Sequence, residues 1–286
     1  MCAWLYALAA KNHSEKEMST MWPPPFLYPP LASGLAAATM SVVAFLALVG
    51  LGVSELRGDN MAYSKFWRRR GDDGGALLLP SRAAMVVAYG PALAAAVASF
   101  AVPGAVEGLR AQILSAVLAV HFLKRVLEVF FVHRYSGCMP LTTALLICSC
   151  YLFNTVAMIY VQHLSRGLPE PPVDLLYPGV VVFAVGLAGN FYHHCLLARL
   201  RGDGGGDKGY KIPKGGLFEL VTCPHYLFEI VGFFGFAMIA QTVYALAVAS
   251  GTAAYLVGRS CATRRWYESK FEEFPTRVKA LVPYVL

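Results

Sequence analysis

The chain has 286 residues, of which 57% are hydrophobic and 14% charged, with a formal net charge of +7. Soluble domains are about half apolar and about a quarter charged, so this composition excludes an ordinary water-soluble protein. The apolar residues come in long runs, so the surplus of Lys and Arg reads as a membrane-topology signal and not as a nucleic-acid footprint.

Residues 1–30 are expected to be a flexible extension. Met1–Ala10 is apolar but too short to span a bilayer, and the polar Lys11–Thr20 and a Pro-rich stretch follow. Leu31–Val53, Ala83–Val102, Ala111–Val132, Leu141–Gln162 and Leu175–Leu197 each read as a membrane helix. Pro91 lies inside the second and removes an intrahelical bond, which predicts a kink near Tyr89. Arg57–Arg82 reads as a basic loop and Arg199–Thr222 as a Gly/Lys-rich one. Tyr226–Val257 is apolar apart from Gln241-Thr242, which predicts two short helices joined by a tight turn. Arg259–Leu286 is a basic, aromatic tail.

This gives an all-α polytopic membrane protein with a seven-helix domain over residues 31–286. Under that topology 18 of the 24 Lys and Arg residues fall on one side and 4 on the other. The asymmetry predicts a lumenal N-terminus and a cytosolic C-terminus. The seven cysteines show no CxxC spacing, and no metal site is expected.

The chemistry concentrates on three helices. His121, Lys124, Arg125 and Glu128 share one face of the third span, where each charge at mid-bilayer costs at least about 2.5 kcal/mol. Lys124 and Glu128 are spaced to pair. Asn190, His194 and Arg201 form a second stripe on the fifth span. His225 and Glu229 fall one turn apart on the sixth, behind the Pro/Gly-punctuated loop at Tyr210–Gly216. With Lys211, these groups predict a mostly basic, donor-rich pocket at the cytosolic helix ends, suited to phosphate. Trp266, Tyr267, Phe271 and Phe274 predict a helical aromatic stripe in the tail, with Tyr267 placed to stack on or bond to a nucleotide.

Two motifs carry a resemblance. Tyr210–Val221 and Trp266–Pro283 resemble the steroid 5α-reductase family, a likeness that covers roughly residues 60 to 286 and is strongest at the C-terminal end, with a steroid-reductase-like region over about 111–286. The run from His121 to Leu141 is similar to the very-long-chain trans-2-enoyl-CoA reductase branch. The resemblance implies a membrane reductase of the endoplasmic reticulum that binds NADPH from the cytosol. Its substrate would be a lipid whose C=C is conjugated with a carbonyl, either a 3-oxo-Δ4 steroid or an enoyl thioester. It places the cofactor contacts on Lys65, Arg125, Asn190, His194, Arg201, Lys211, His225, Glu229 and Tyr267. His194 stands where the steroid branch has aspartate, and His225 where it has asparagine.

The catalytic positions depart further. Tyr89 stands at that branch's second-span glutamate, and Phe122 at its third-span tyrosine. Phe122 cannot donate a proton, so Tyr89 is the candidate general acid. Two other readings stand beside this one: a non-catalytic relative, and a membrane methyltransferase of the isoprenylcysteine or phospholipid type.

Overall fold

The computed structural model describes residues 24–29, 34–66, 77–135, 137–200 and 210–286. Among them are seven α-helices: α1 Gly34–Arg57, α2 Ser81–Ala98, α3 Leu109–Phe131, α4 Leu141–Leu164, α5 Leu176–Leu200, α6 Pro224–Ala240 and α7 Val243–Lys270. Four segments are long and apolar enough to cross a membrane: Gly34–Arg57, Ser81–Ala101, Leu141–Leu164 and Leu176–Leu200. Helix α6 is apolar but shorter. Helices α3 and α7 are more heavily charged, with Arg110, Lys124, Arg125 and Glu128 on α3 and Arg259, Arg264, Arg265, Glu268 and Lys270 on α7.

Small residues set the packing. Ala84, Ala88, Ala92 and Ala96 recur every fourth position on α2 and are completely buried. Without large side chains on that face, α2 lies close against α3 and α4. Helices α5 and α6 approach even more tightly. A Cβ added at Gly235 would lie 2.6 Å from the Phe183 backbone nitrogen, and one at Gly179 would lie 2.7 Å from that of Ile239. Helices α1 and α7 meet the same way, with Gly52 facing the Ala254 carbonyl. The apolar core lies between them and includes Leu114, Leu118, Met158, Phe183, Phe236 and Tyr244.

Helix α2 runs through Pro91 as one element. Two expectations change in detail. The basic loop after α1 contains a short strand β1, Leu78–Pro80, which pairs antiparallel with β2, Cys138–Pro140, and clips the start of α2 to the start of α4. The apolar stretch after Pro224 does divide at Gln241-Thr242, but its second helix is long, not short. Gln241 adopts a left-handed conformation, and the Thr242 side chain accepts from the Ala245 N–H to start α7. No proline interrupts the chain from there, so α7 continues through Arg259 to Lys270.

The aromatic stripe is therefore only half helical. Trp266 and Tyr267 lie on α7, while Phe271 and Phe274 fold back to stack on Tyr267 at 5.9 and 5.6 Å. The tail beyond them is sewn to the start of α6. Thr222 N–H donates to the Lys279 carbonyl at 2.8 Å, and Cys223 N–H donates to that of Ala280 at 3.1 Å.

Candidate functional site

Helices α3, α5 and α6 bring one buried polar network together. On α3, the Lys124 ammonium lies 2.9 Å from Glu128 Oε1, the i,i+4 pair expected from spacing. The same oxygen meets His194 Nδ1 of α5 at 2.9 Å. Arg125 pairs with Glu229 of α6 and lies 3.8 Å from Glu128. His121 Nε2 stands 3.7 Å from Glu229. Lys124 also donates to the Asn190 side-chain oxygen, and Asn190 Nδ2 donates to the His225 carbonyl at 2.8 Å. The His194 ring lies 5.6 Å from that of His225 and 4.7 Å from that of His133.

Within this network the charges pair off. Glu128 and Glu229 take up Lys124 and Arg125, so the network is close to neutral among the described residues. Such mutual pairing is what permits four ionised groups to be buried together. It is nevertheless incomplete. His121 Nε2, Arg125 Nε, Glu128 Oε2 and His225 Nδ1 are buried without hydrogen-bond partners. Buried polar atoms are seldom left unpaired, and a concentration of them is where water, an ion or a polar ligand would complete the bonding.

Of the positions singled out in the sequence, Arg125, Asn190, His194, His225 and Glu229 meet in this network. Lys65 and Tyr267 meet elsewhere, with the Lys65 ammonium 4.7 Å from the Tyr267 ring centroid and 5.4 Å from that of Trp266. Tyr267 is 6% exposed, and its ring packs against Phe271 and Phe274. Lys211 is exposed, next to Tyr210, whose ring lies 4.8 Å from Trp266. Arg201 lies outside the described residues. The two groups approach each other near Phe218, whose ring is 6.2 Å from His225, and Lys65 is an electrostatic neighbour of His225. A cleft of about 390 Å³ opens between the loop at Lys65 and the α7 face of Arg265 and Trp266.

The loop that precedes α6 is anchored by a residue the sequence reading did not use. His193 Nε2 accepts from the Leu217 N–H at 3.2 Å, and its Nδ1 lies 2.7 Å from the Gly189 carbonyl oxygen. Gly215 and Gly216 adopt positive φ, and a Cβ at Gly216 would sit 3.0 Å from His193 Nε2. The glycines thus let the loop close onto α5.

Tyr89 borders the network. Its ring lies under the Arg125 guanidinium at 5.7 Å and 5.5 Å from the ring of Tyr151 on α4. Phe122 packs edge-on to Tyr151 at 5.4 Å. Tyr151 was missed because a single tyrosine in an apolar helix has the same pattern as a packing residue. Glu128, His133 and His194 hold metal-ligand-type atoms within 4.8 Å of one another. The Lys124 ammonium already sits on the shared Glu128 oxygen and opposes a second cation there.

Residues 138–286 match the family described as 3-oxo-5-alpha-steroid 4-dehydrogenase. The chain is 35% identical over 217 residues to 3-oxo-5-alpha-steroid 4-dehydrogenase 1 of Homo sapiens, covering 73% of this chain and 82% of that protein. It is 34% identical over 175 residues to the very-long-chain enoyl-CoA reductase of Dictyostelium discoideum, covering 59% of this chain and 56% of that one. It is 41% identical over 108 residues to the steroid 5-alpha-reductase DET2 of Gossypium hirsutum, covering 37% of this chain and 41% of that protein.

Apolar helices around a buried polar network, joined to these relatives, define a membrane oxidoreductase. The chain belongs to the 3-oxo-5-alpha-steroid 4-dehydrogenase family.

Proposed function

We propose that the protein reduces a carbon–carbon double bond conjugated with a carbonyl in a lipid, using NADPH. The substrate is a 3-oxo-Δ4 steroid or an enoyl thioester, the two classes named by its relatives. One observation carries the reading. Four buried polar atoms of the α3–α5–α6 network have no partner, and the Arg125 guanidinium among them stands 5.7 Å from the Tyr89 ring. These donors and acceptors suit an amide and ribose hydroxyls, which need both kinds of partner.

In this reading Arg125, Asn190, His194, His225 and Glu229 hold the cofactor's polar groups. Lys65, Arg201, Lys211 and Tyr267 serve its phosphate and adenosine end. The cofactor supplies hydride. The chain's own task is to hold the substrate carbonyl, exclude water and deliver one proton, for which Tyr89 is a candidate donor. The helices cross the membrane seven times, with the N-terminus lumenal and the network on the cytosolic side of the endoplasmic reticulum. The 18-to-4 division of Lys and Arg supports that orientation.

The test uses the full chain in detergent. NADPH binding is measured by fluorescence, and NADPH consumption is followed with a Δ4-3-ketosteroid, a trans-2-enoyl-CoA and a polyprenol. Consumption with one of the first two is expected. Binding of S-adenosylmethionine without NADPH would replace the reading with a methyltransferase. NADPH binding without turnover of any substrate would mark a non-catalytic relative.

A further inference from the structure

Two phenols at the edge of the network have unmet hydrogen-bonding capacity. Four tyrosine hydroxyls elsewhere in the structure have partners. Tyr244 donates to Asn154 at 2.8 Å, Tyr28 donates to Glu170 at 2.6 Å, and the hydroxyls of Tyr63 and Tyr255 lie 3.3 Å apart. Neither Tyr89 nor Tyr151 has a hydroxyl partner among the described residues. Neither hydroxyl is sealed off either, since both side chains are only partly covered. A hydroxyl left unbonded in an apolar setting costs about 1–3 kcal/mol. Two of them side by side therefore suit an acceptor oxygen brought by a ligand.

The placement of Tyr151 is specific. Its ring touches Tyr89 of α2 at 5.5 Å and Phe122 of α3 at 5.4 Å. Arg125 and Glu229 are electrostatic neighbours of both phenols. Phe122 offers only carbon to this space. Tyr151, reaching in from α4, brings an O–H group to the same spot.

We infer that Tyr151 is the second hydroxyl of a two-phenol grip on the substrate carbonyl and, in place of Tyr89, supplies the proton of the reduction, Tyr89 keeping a hydrogen bond to the same oxygen. This rests on the reductase reading. The substrate class it fits is an α,β-unsaturated ketone or thioester, whose oxygen accepts two hydrogen bonds. Hydride from the reduced nicotinamide dinucleotide forms a C–H bond at the β-carbon. The π electrons then shift to the carbonyl oxygen. The Tyr151 O–H bond breaks as a bond to that oxygen forms, and water returns the proton to the phenolate. The enol so formed rearranges to the saturated carbonyl compound. Two preorganised donors on one developing oxyanion are an economical way to stabilise it in an apolar site.

The test compares Tyr151→Phe, Tyr89→Phe and the double variant Tyr151→Phe/Phe122→Tyr with wild type. Substrate is whichever of a Δ4-3-ketosteroid or a trans-2-enoyl-CoA the wild type reduces. Tyr151→Phe is expected to lower kcat at least about hundredfold, the scale of a lost general acid. Its NADPH affinity should stay within about twofold of wild type. Its affinity for the saturated carbonyl product, measured with NADP⁺ bound, should fall about tenfold, the 1.4 kcal/mol scale of one hydrogen bond. Restoring a phenol through Phe122→Tyr should recover at least about tenfold in kcat. Wild-type kcat and product affinity in Tyr151→Phe would overturn the inference and leave the reductase reading standing. A wild-type protein that does not bind NADPH would remove the reductase reading and the inference with it.

Discussion

Arg259 of α7 donates to Glu55 of α1 at 2.7 Å, and both side chains are buried. The guanidinium is sandwiched by aromatic rings, with Tyr63 and Phe66 centroids each 4.2 Å away. The Met61 N–H also donates to Glu55 at 3.0 Å, so the pair folds the loop after α1 back onto α7. Removing one partner leaves the other charge buried and alone. Glu55→Ala should destabilise the protein by about 3–5 kcal/mol. Thermal unfolding in detergent, followed by intrinsic fluorescence, measures this. A variant with an unchanged midpoint would show that the pair is not holding α1 to α7.

The opposite end of the bundle depends on Gln241, the left-handed residue between α6 and α7. Its Nε2 donates to the Phe26 carbonyl at 2.6 Å and to the Val173 carbonyl at 2.8 Å. Its Oε1 accepts from Arg110 at 2.7 Å and from the Leu175 N–H at 2.9 Å. Gln241→Gly would ease the backbone but strand four groups. The net effect should be destabilising by about 2 kcal/mol or more, because each buried group left unpaired costs about 1–3 kcal/mol. Proteolysis near residues 24–29 should also accelerate, since Phe26 loses its tether. Unchanged protease resistance would count against that tether.

Two groups near this end give stability a defined pH dependence. The Asp174 carboxyl is held below its usual 3.8 by the Leu176 N–H and then by Arg110. A depressed pKa contributes stability above the unfolded value, which is lost as pH falls through the folded one. Asp174→Asn should therefore be less stable than wild type at neutral pH, with the gap closing below about pH 4. Burial, followed by the hydrogen bond to Glu170, pushes Tyr28 up to about 12. A raised pKa contributes stability below the unfolded value, lost as pH rises through the folded one. Wild type should lose that stability between about pH 10 and 12, and Tyr28→Phe should not. Midpoints scanned across both ranges test the two signs separately.

Within the polar network, Glu229 is the residue whose loss should be read most clearly. It pairs with Arg125 and faces His121 at 3.7 Å. Glu229→Gln keeps the shape and removes the charge. NADPH affinity should fall at least about tenfold, or 1.4 kcal/mol. His194→Ala should weaken it as well, by freeing Lys124 and Glu128 to rearrange. Isothermal titration with NADPH gives both values. Wild-type affinity in both variants would take the cofactor out of this network.

Much of the helical plan was legible. The positions of the seven described helices follow from apolar runs and from the polar break at Gln241-Thr242, apart from the extension of α7 to Lys270. The α3 stripe was legible too, since 3.6-residue periodicity alone puts His121, Lys124, Arg125 and Glu128 on one face. Periodicity does not say what a face meets. That Arg125 takes Glu229, Lys124 reaches Asn190 and His194 reaches Glu128 depends on how close α3, α5 and α6 come. Between α5 and α6 that closeness is set by glycines that leave no side chain between the helix backbones.

The sequence by itself determined a membrane-protein composition, the helix order and a face of buried charge, because each is a property of local spacing. Only the tertiary structure decided that Arg125 meets Glu229 and His194 meets Glu128, that α7 absorbs the first part of the tail, and that Tyr151 stands beside Tyr89 and Phe122. Those facts are distances between residues far apart in the chain, fixed by the packing of helix on helix.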